Sequence, residues 1–192
     1  MDTQPWEVKD GLQTSVIGFD IEATHLKASF GHIICCSFLD LLDPKAKVET
    51  FRIDELKGRR TSDDSRVVRA IKQKLQTSWI WAGWYSKMYD IPFINGRLAL
   101  HGIMPVEKRM HLDLLYYSKG QFMKLHSSKL DSVAKTFRLK TQKTDILPDE
   151  WLRAGEGDKD AIDYVVKHCE ADVKVLRDVF PILAPHIANI HR

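Results

Sequence analysis

No apolar run in the 192-residue chain approaches the ~18 to 20 residues needed to cross a bilayer. The opening residues, Met1-Asp2-Thr3-Gln4-Pro5-Trp6, show no basic stretch followed by an apolar one. The expectation is a soluble, unexported, cytoplasmic protein. Cysteine is scarce: Cys35 and Cys36 adjoin on a strand-like run, and Cys169 stands alone. This spacing offers neither a C-x-x-C motif nor a disulfide framework, so buried, reduced thiols are expected, and the lack of a Cys/His cluster argues against structural zinc. Internal repeats and low-complexity tracts are absent. A large charge imbalance is missing too, since 29 Lys and Arg stand against 26 Asp and Glu, for a formal net charge of +3. With 44% hydrophobic and 29% charged residues the composition is globular, and the length suits one domain over residues 1–192, with residues 1–13 as a polar arm.

Charge is unevenly placed all the same. Lys119 to Lys143 holds seven Lys or Arg and one acid, Asp131, which predicts a local positive face. Apolar patterning predicts strands at Val16–Thr24, Gly31–Leu41, Lys47–Ile53, Trp79–Gly83 and Arg109–Leu115. Helical spacing predicts helices from Ser65 to Leu75, from Asp90 to Gly102, from a Ser128-Lys129-Leu130-Asp131 capping box, and from Gly157-Asp158 to about Val179, where Pro181 limits the last one. Strand, helix, strand in this order is an α/β pattern.

The first strand carries the most informative chemistry. Ile17, Phe19 and Ile21 fall on one side, and Gly18, Asp20 and Glu22 on the other. Two carboxylates side by side repel each other unless protons or cations relieve them, and a divalent metal is a natural relief. D-x-E is common on exposed strands, however, and Asp90 alone reads as an acid stabilised at a helix start. On the last helix Asp172 borders an apolar stripe, with His168 one turn earlier on the same flank. Alone, this pair reads more simply as two solvated neighbours on the helix. The order of the three segments is more specific than any one of them.

Phe19-Asp20-Ile21-Glu22-Ala23-Thr24-His25-Leu26 resembles the first motif of the DEDD superfamily of 3′–5′ exonucleases. Gly83 to Phe93, with Tyr89-Asp90-Ile91-Pro92-Phe93, is similar to the second motif as found in the proofreading domain of family B DNA polymerases. Lys129 to Ala134 and His168-Cys169-Glu170-Ala171-Asp172-Val173 resemble segments near and within the third. The likeness runs from about residue 16 to 180. It implies an RNase H-like α/β fold, with a mixed five-stranded sheet flanked by helices. It also implies phosphodiester hydrolysis with two divalent ions, Mg²⁺ or Mn²⁺, held by Asp20, Glu22, Asp90 and Asp172. Tyr85 stands where the family has Asn. His168 has the spacing of the tyrosine subgroup and the residue type of the histidine subgroup, which implies a role in orienting or deprotonating water. Thr24 and Leu26 match positions that line the terminal nucleotide, with Leu26 alternatively closing the core.

The implied function is a 3′–5′ exonuclease releasing nucleoside 5′-monophosphates from single-stranded DNA or RNA, with a polymerase partner if it serves proofreading in replication. A structure-specific endonuclease or ribonuclease of the same fold, and a non-catalytic nucleic-acid-binding module, are the alternatives. The basic stretch is expected to track phosphates. Among Trp84, Tyr85 and Tyr89, only Tyr85 is expected to stack on an unpaired base.

Overall fold

The computed structural model describes residues 15–119, 122–141, 144, 145 and 147–187. The expected arm at residues 1–13 lies outside them. Five strands, β1 (Val16–Ala23), β2 (Ile33–Asp40), β3 (Glu49–Arg52), β4 (Ile80–Gly83) and β5 (Met110–Asp113), form one sheet in the order β3-β2-β1-β4-β5. β1 to β3 pair antiparallel, while β4 runs parallel to β1 and β5 parallel to β4. This is the mixed five-stranded sheet that the sequence implied. The helices are α1 (Ser65–Gln76), α2 (Asp90–Leu100), α3 (Leu114–Ser118), α4 (Leu130–Thr136), α5 (Pro148–Gly155) and α6 (Lys159–Leu183).

Two apolar clusters hold the sheet. Ile17, Phe19 and Ile21 share one with Val67, Val68 and Ile71 of α1 and Phe93, Ile94 and Leu98 of α2. Val16, Ile80, Ala82 and Leu112 share the other with Leu130, Val133 and Ala134 of α4. The second side of β1 is therefore covered at its Val16–Gly18 end and becomes polar only further along. A Cβ at Gly18 would lie 2.5 Å from Leu41 Cδ2, so a larger residue there has to displace the Leu41 side chain. Helix α6 serves both clusters, giving Ile162, Val165, Val166 and Cys169 to the first and Val173, Leu176, Val179 and Phe180 to the second. The changeover falls on the turn that carries Asp172.

Several expectations need correction. β5 stops at Asp113, and Leu114 begins a helix rather than extending the strand. The cap of α4 is Lys129 with no side-chain cap bond; Ser127 Oγ, not Ser128, accepts the Lys129 amide at 3.2 Å. α5 was unforeseen, although Pro148 in its first turn followed by Asp149 and Glu150 is a helix-start signature. α6 runs through Pro181 to Leu183, because a proline in the last turn forfeits only one backbone bond. Its start is as expected, with Asp158 Oδ1 accepting the Ala161 amide at 3.0 Å. All three cysteines are free and buried. Among the described residues no helix is long and apolar enough to cross a membrane.

Candidate active site

Because β1, β4 and β5 run parallel, their C-terminal ends open on one edge of the sheet, where open α/β sheets bind ligands. Asp20 and Glu22 sit on the last half of β1, residues 84–89 leave β4 toward Asp90, and Asp113 ends β5. Pairing of β1 with β4 extends only to Gly18 opposite Ala82. Beyond it the Ile21 amide donates to Asp90 Oδ1 at 3.2 Å. Asp90, only 3% exposed, is thereby drawn to the backbone between Asp20 and Glu22. It does stand in the first turn of α2, as a helix-start acid would, but it is buried rather than solvated.

Helix α6 brings the remaining groups. His168 and Asp172 are buried, which rules out their reading as solvated helix neighbours. His168 Nε2 lies 3.8 Å from Glu22 Oε1, and its Nδ1 lies 2.6 Å from Thr144 Oγ1. Trp151 of α5 stands edge-on to the imidazole at 5.2 Å. One ligand atom each from Glu22, His168 and Asp172 lie within 4.8 Å of one another. Cys169 Sγ donates to the Asp20 backbone oxygen at 3.3 Å and approaches Asp20 Oδ2 at 3.6 Å.

The electrostatics reflect this crowding. Burial pushes the Asp90 carboxyl up to about 7, Asp113 and Asp172 add to the rise, and the Ile21 amide opposes it. Burial likewise raises the Tyr89 phenol to about 12, with Asp90, Glu22 and Asp20 reinforcing it. The Cys169 thiol is raised by burial first, then by Cys35, Asp20 and Glu22. Excess negative charge in a low-dielectric pocket is what a bound cation relieves, and hard oxygen donors with one imidazole suit a divalent ion.

A groove of about 910 Å³ leads to these groups, its walls including Asp20, Tyr85, Lys129, Lys135, His168 and Asp172. A second cavity, of about 870 Å³, opens beside Arg52 and Asp163, and none of Asp20, Glu22, Asp90 and Asp172 lines it. Tyr85, 48% exposed, lines the groove. The Trp84 indole instead donates to Ser128 O at 3.0 Å, a packing role. Thr24 Oγ1 accepts the His32 amide at 3.0 Å and closes the loop after β1. Leu26 is 77% exposed, so it does not close the core. Neither Thr24 nor Leu26 lines the groove. Within the basic stretch, Lys129 and Lys135 face the groove, while residues 120, 121, 142 and 143 lie outside the described residues.

Two contributors escaped the sequence reading. Thr144 meets His168, and Asp113 accepts the amides of Tyr85 at 2.9 Å and Lys87 at 3.2 Å. An acid at the C-terminal end of a parallel strand was the available signal for Asp113. Thr144 lies in a loop without pattern and left none.

Residues 17–184 match the family described as RNase_H_2 of the RNase_H superfamily. The chain belongs to the RNase H superfamily. Among solved structures, this RNase H-like chain is similar to the family B DNA polymerase from the hyperthermophilic archaeon Pyrobaculum calidifontis, with a TM-score of 0.64 and 18% identity. The likeness covers 88% of this chain and 25% of the polymerase, so the chain spans about a quarter of that protein's length. At that identity the likeness speaks for the fold alone. No curated protein matches the sequence.

Proposed function

We propose that this RNase H-like protein is a metal-dependent 3′–5′ exonuclease that removes nucleoside 5′-monophosphates from single-stranded nucleic acid. The observations that support the reading are that Glu22, His168 and Asp172 offer ligand atoms within 4.8 Å of one another, that Asp90 is bonded to the Ile21 amide between Asp20 and Glu22, and that Asp20, His168 and Asp172 stand on the wall of one groove. Divalent ions bound there would supply activation of water and charge stabilisation at the scissile phosphate. Glu22, Asp172 and Asp20 are the proposed ligands on the side of the attacking water. Asp90, at the start of α2 and bonded to the Ile21 amide of β1, is the proposed fourth acid.

His168 is the proposed group that orients the water or takes its proton. Its Nδ1 is engaged by the Thr144 hydroxyl and its Nε2 is directed toward Glu22, so the ring is held in one orientation. Tyr85 is the proposed stacking surface, and Leu26 and Thr24 the proposed contacts to the terminal nucleotide. Lys129 and Lys135 are placed to meet backbone phosphates. DNA, with RNA as the alternative, is the proposed substrate, and a polymerase the proposed partner.

Purified protein with Mn²⁺ or Mg²⁺ is expected to shorten a 5′-labelled single strand from its 3′ end and to leave a circular single strand intact. Asp20→Ala is expected to reduce the activity to background. Intact linear strands, or an Asp20→Ala variant as active as the native protein, would overturn the reading. Cleavage of the circle would instead mark an endonuclease.

A further inference from the structure

A smaller cavity, of about 400 Å³, adjoins the groove and shares Tyr85 and Leu115 with it. Its other walls include Lys87, Met88, Tyr116 and Lys119. Three of these side chains are apolar or aromatic yet open to water: Tyr85 is 48% exposed, Tyr116 44% and Met88 68%. Such surface beside a polar groove calls for an occupant.

The aromatic walls are held in place from behind. Tyr116 on α3 stands nearly perpendicular to Tyr117 at 5.3 Å and edge-on to Phe122 at 5.4 Å. A ring braced on two sides loses little freedom when something packs against it. Tyr85 has φ +64, a conformation that costs a non-glycine residue about 1 kcal/mol or more and persists only where its surroundings enforce it. Here Asp113 accepts the amides on either side of Ser86, and Ser86 Oγ lies 2.8 Å from His111 Nε2. The strained turn sets Tyr85 on the wall common to both cavities.

Charge selects among occupants. The Asp113 carboxylate is engaged by two backbone amides, and burial, with Lys87 adding to it, pushes His111 down to about 3, so that it is neutral. Two lysines, Lys87 and Lys119, against the one carboxylate of Asp113 leave the cavity lining net positive. Aromatic walls with cations beside them suit an unpaired nucleobase and its flanking phosphates, because every base has a face to stack and every linkage a charge to neutralise. A base within a duplex is stacked on its own neighbours and does not offer such a face.

We infer that this cavity is a nucleobase subsite. A single strand leaving the acids passes Tyr85 and seats one base between Tyr85 and Tyr116, with Lys87 and Lys119 meeting its phosphates. The direction of the strand rests on the nuclease reading, whereas binding in the cavity does not. The consequence is selectivity for an unpaired tail long enough to reach the cavity.

Photo-crosslinking tests it, using strands with one 5-iodouracil at successive positions from the 3′ end and protein kept inactive with EDTA. One interior position is expected to crosslink to the peptide containing Tyr85 or Tyr116. Tyr116→Leu and Lys119→Glu are each expected to weaken binding of long strands about tenfold. Tyr116→Phe, which keeps the ring, is expected to bind as the native protein does. Crosslinks confined to other peptides, or a Tyr116→Leu variant of native thermal midpoint that binds strands of every length as the native protein does, would overturn the subsite. Crosslinking at Tyr116 without metal-dependent cleavage would leave the subsite standing and remove the nuclease reading. Normal cleavage with no effect of Tyr116→Leu on binding would do the reverse.

Discussion

His111 lies 7% exposed on β5, its ring against Trp81 at 5.8 Å and Phe19 at 6.0 Å. Burial, then Lys87, lower its pKa from 6.5 to about 3, so the folded protein holds it neutral where an unfolded chain would protonate it. The unfolded state binds the extra proton, hence stability is complete above about pH 6.5 and falls as pH drops toward about 3. The slope approaches ~1.4 kcal/mol per unit within that window. Asp90, with its carboxyl raised to about 7, works in the opposite direction over the same range, so the His111 contribution is read as a difference: urea denaturation is expected to show the stability gap between the native protein and His111→Gln shrinking by about 2 kcal/mol from pH 7.5 to pH 5, and a gap independent of pH would place the effect elsewhere. Legibility at this scale was uneven. Alternation on β1 was enough to set Asp20 and Glu22 side by side, whereas Asp90 alone read as a helix-start acid. Only the bond from the Ile21 amide shows that it turns back to the strand. Asp113 acts through the amides of a neighbouring turn, a relation that no spacing rule encodes.

Strands and long helices were legible because their apolar periods are strong. α3 and α5 were not, being a five-residue helix after a strand and an eight-residue one with a single buried residue, Ala154. The element that matters most for the site is the turn between β4 and α2, and it depends on Gly83. A Cβ there would lie 2.4 Å from Ser86 Oγ, 2.5 Å from Ser86 Cβ and 3.3 Å from the Phe19 carbonyl oxygen. Ser86 is fully buried and bonded to His111, so it has nowhere to move. At Gly18 the obstacle is instead the far end of Leu41, a side chain able to change rotamer. Gly83→Ala is expected to cost about 2 kcal/mol and to impair catalysis by displacing the turn that leads to Asp90, while Gly18→Ala costs less and spares activity. Thermal melts and strand-cleavage rates of the two variants check this, and equal losses would contradict it.

At the scale of the whole molecule, strand direction and charge placement act together. Strands β1, β4 and β5 bring Asp20, Glu22, Asp113 and the Tyr85 turn to one edge, α6 adds His168 and Asp172, and Lys119, Lys129 and Lys135 line the two adjoining cavities. The formal charge of +3 hides this asymmetry, while the count of seven basic residues against one acid along the segment revealed it. In the structure Lys129 and Lys135 face the groove, and Lys135 Nζ pairs with Asp131 Oδ2 at 2.8 Å. A solvent-exposed pair of this kind contributes at most about 1 kcal/mol, so a phosphate can replace Asp131 as the partner. Each phosphate neutralised on a single strand releases counterions and lowers the slope of log K against log salt by about 0.7. The double variant Lys129→Glu, Lys135→Glu is therefore expected to bind single strands more weakly at low salt, with a slope shallower by about 1.4. Reversing Lys174, which faces Glu170 on α6 outside the groove, is expected to leave the slope unchanged. Fluorescence anisotropy in EDTA across a salt series separates the two results. An unaltered slope in the double variant would mean that the strand takes a path other than the groove.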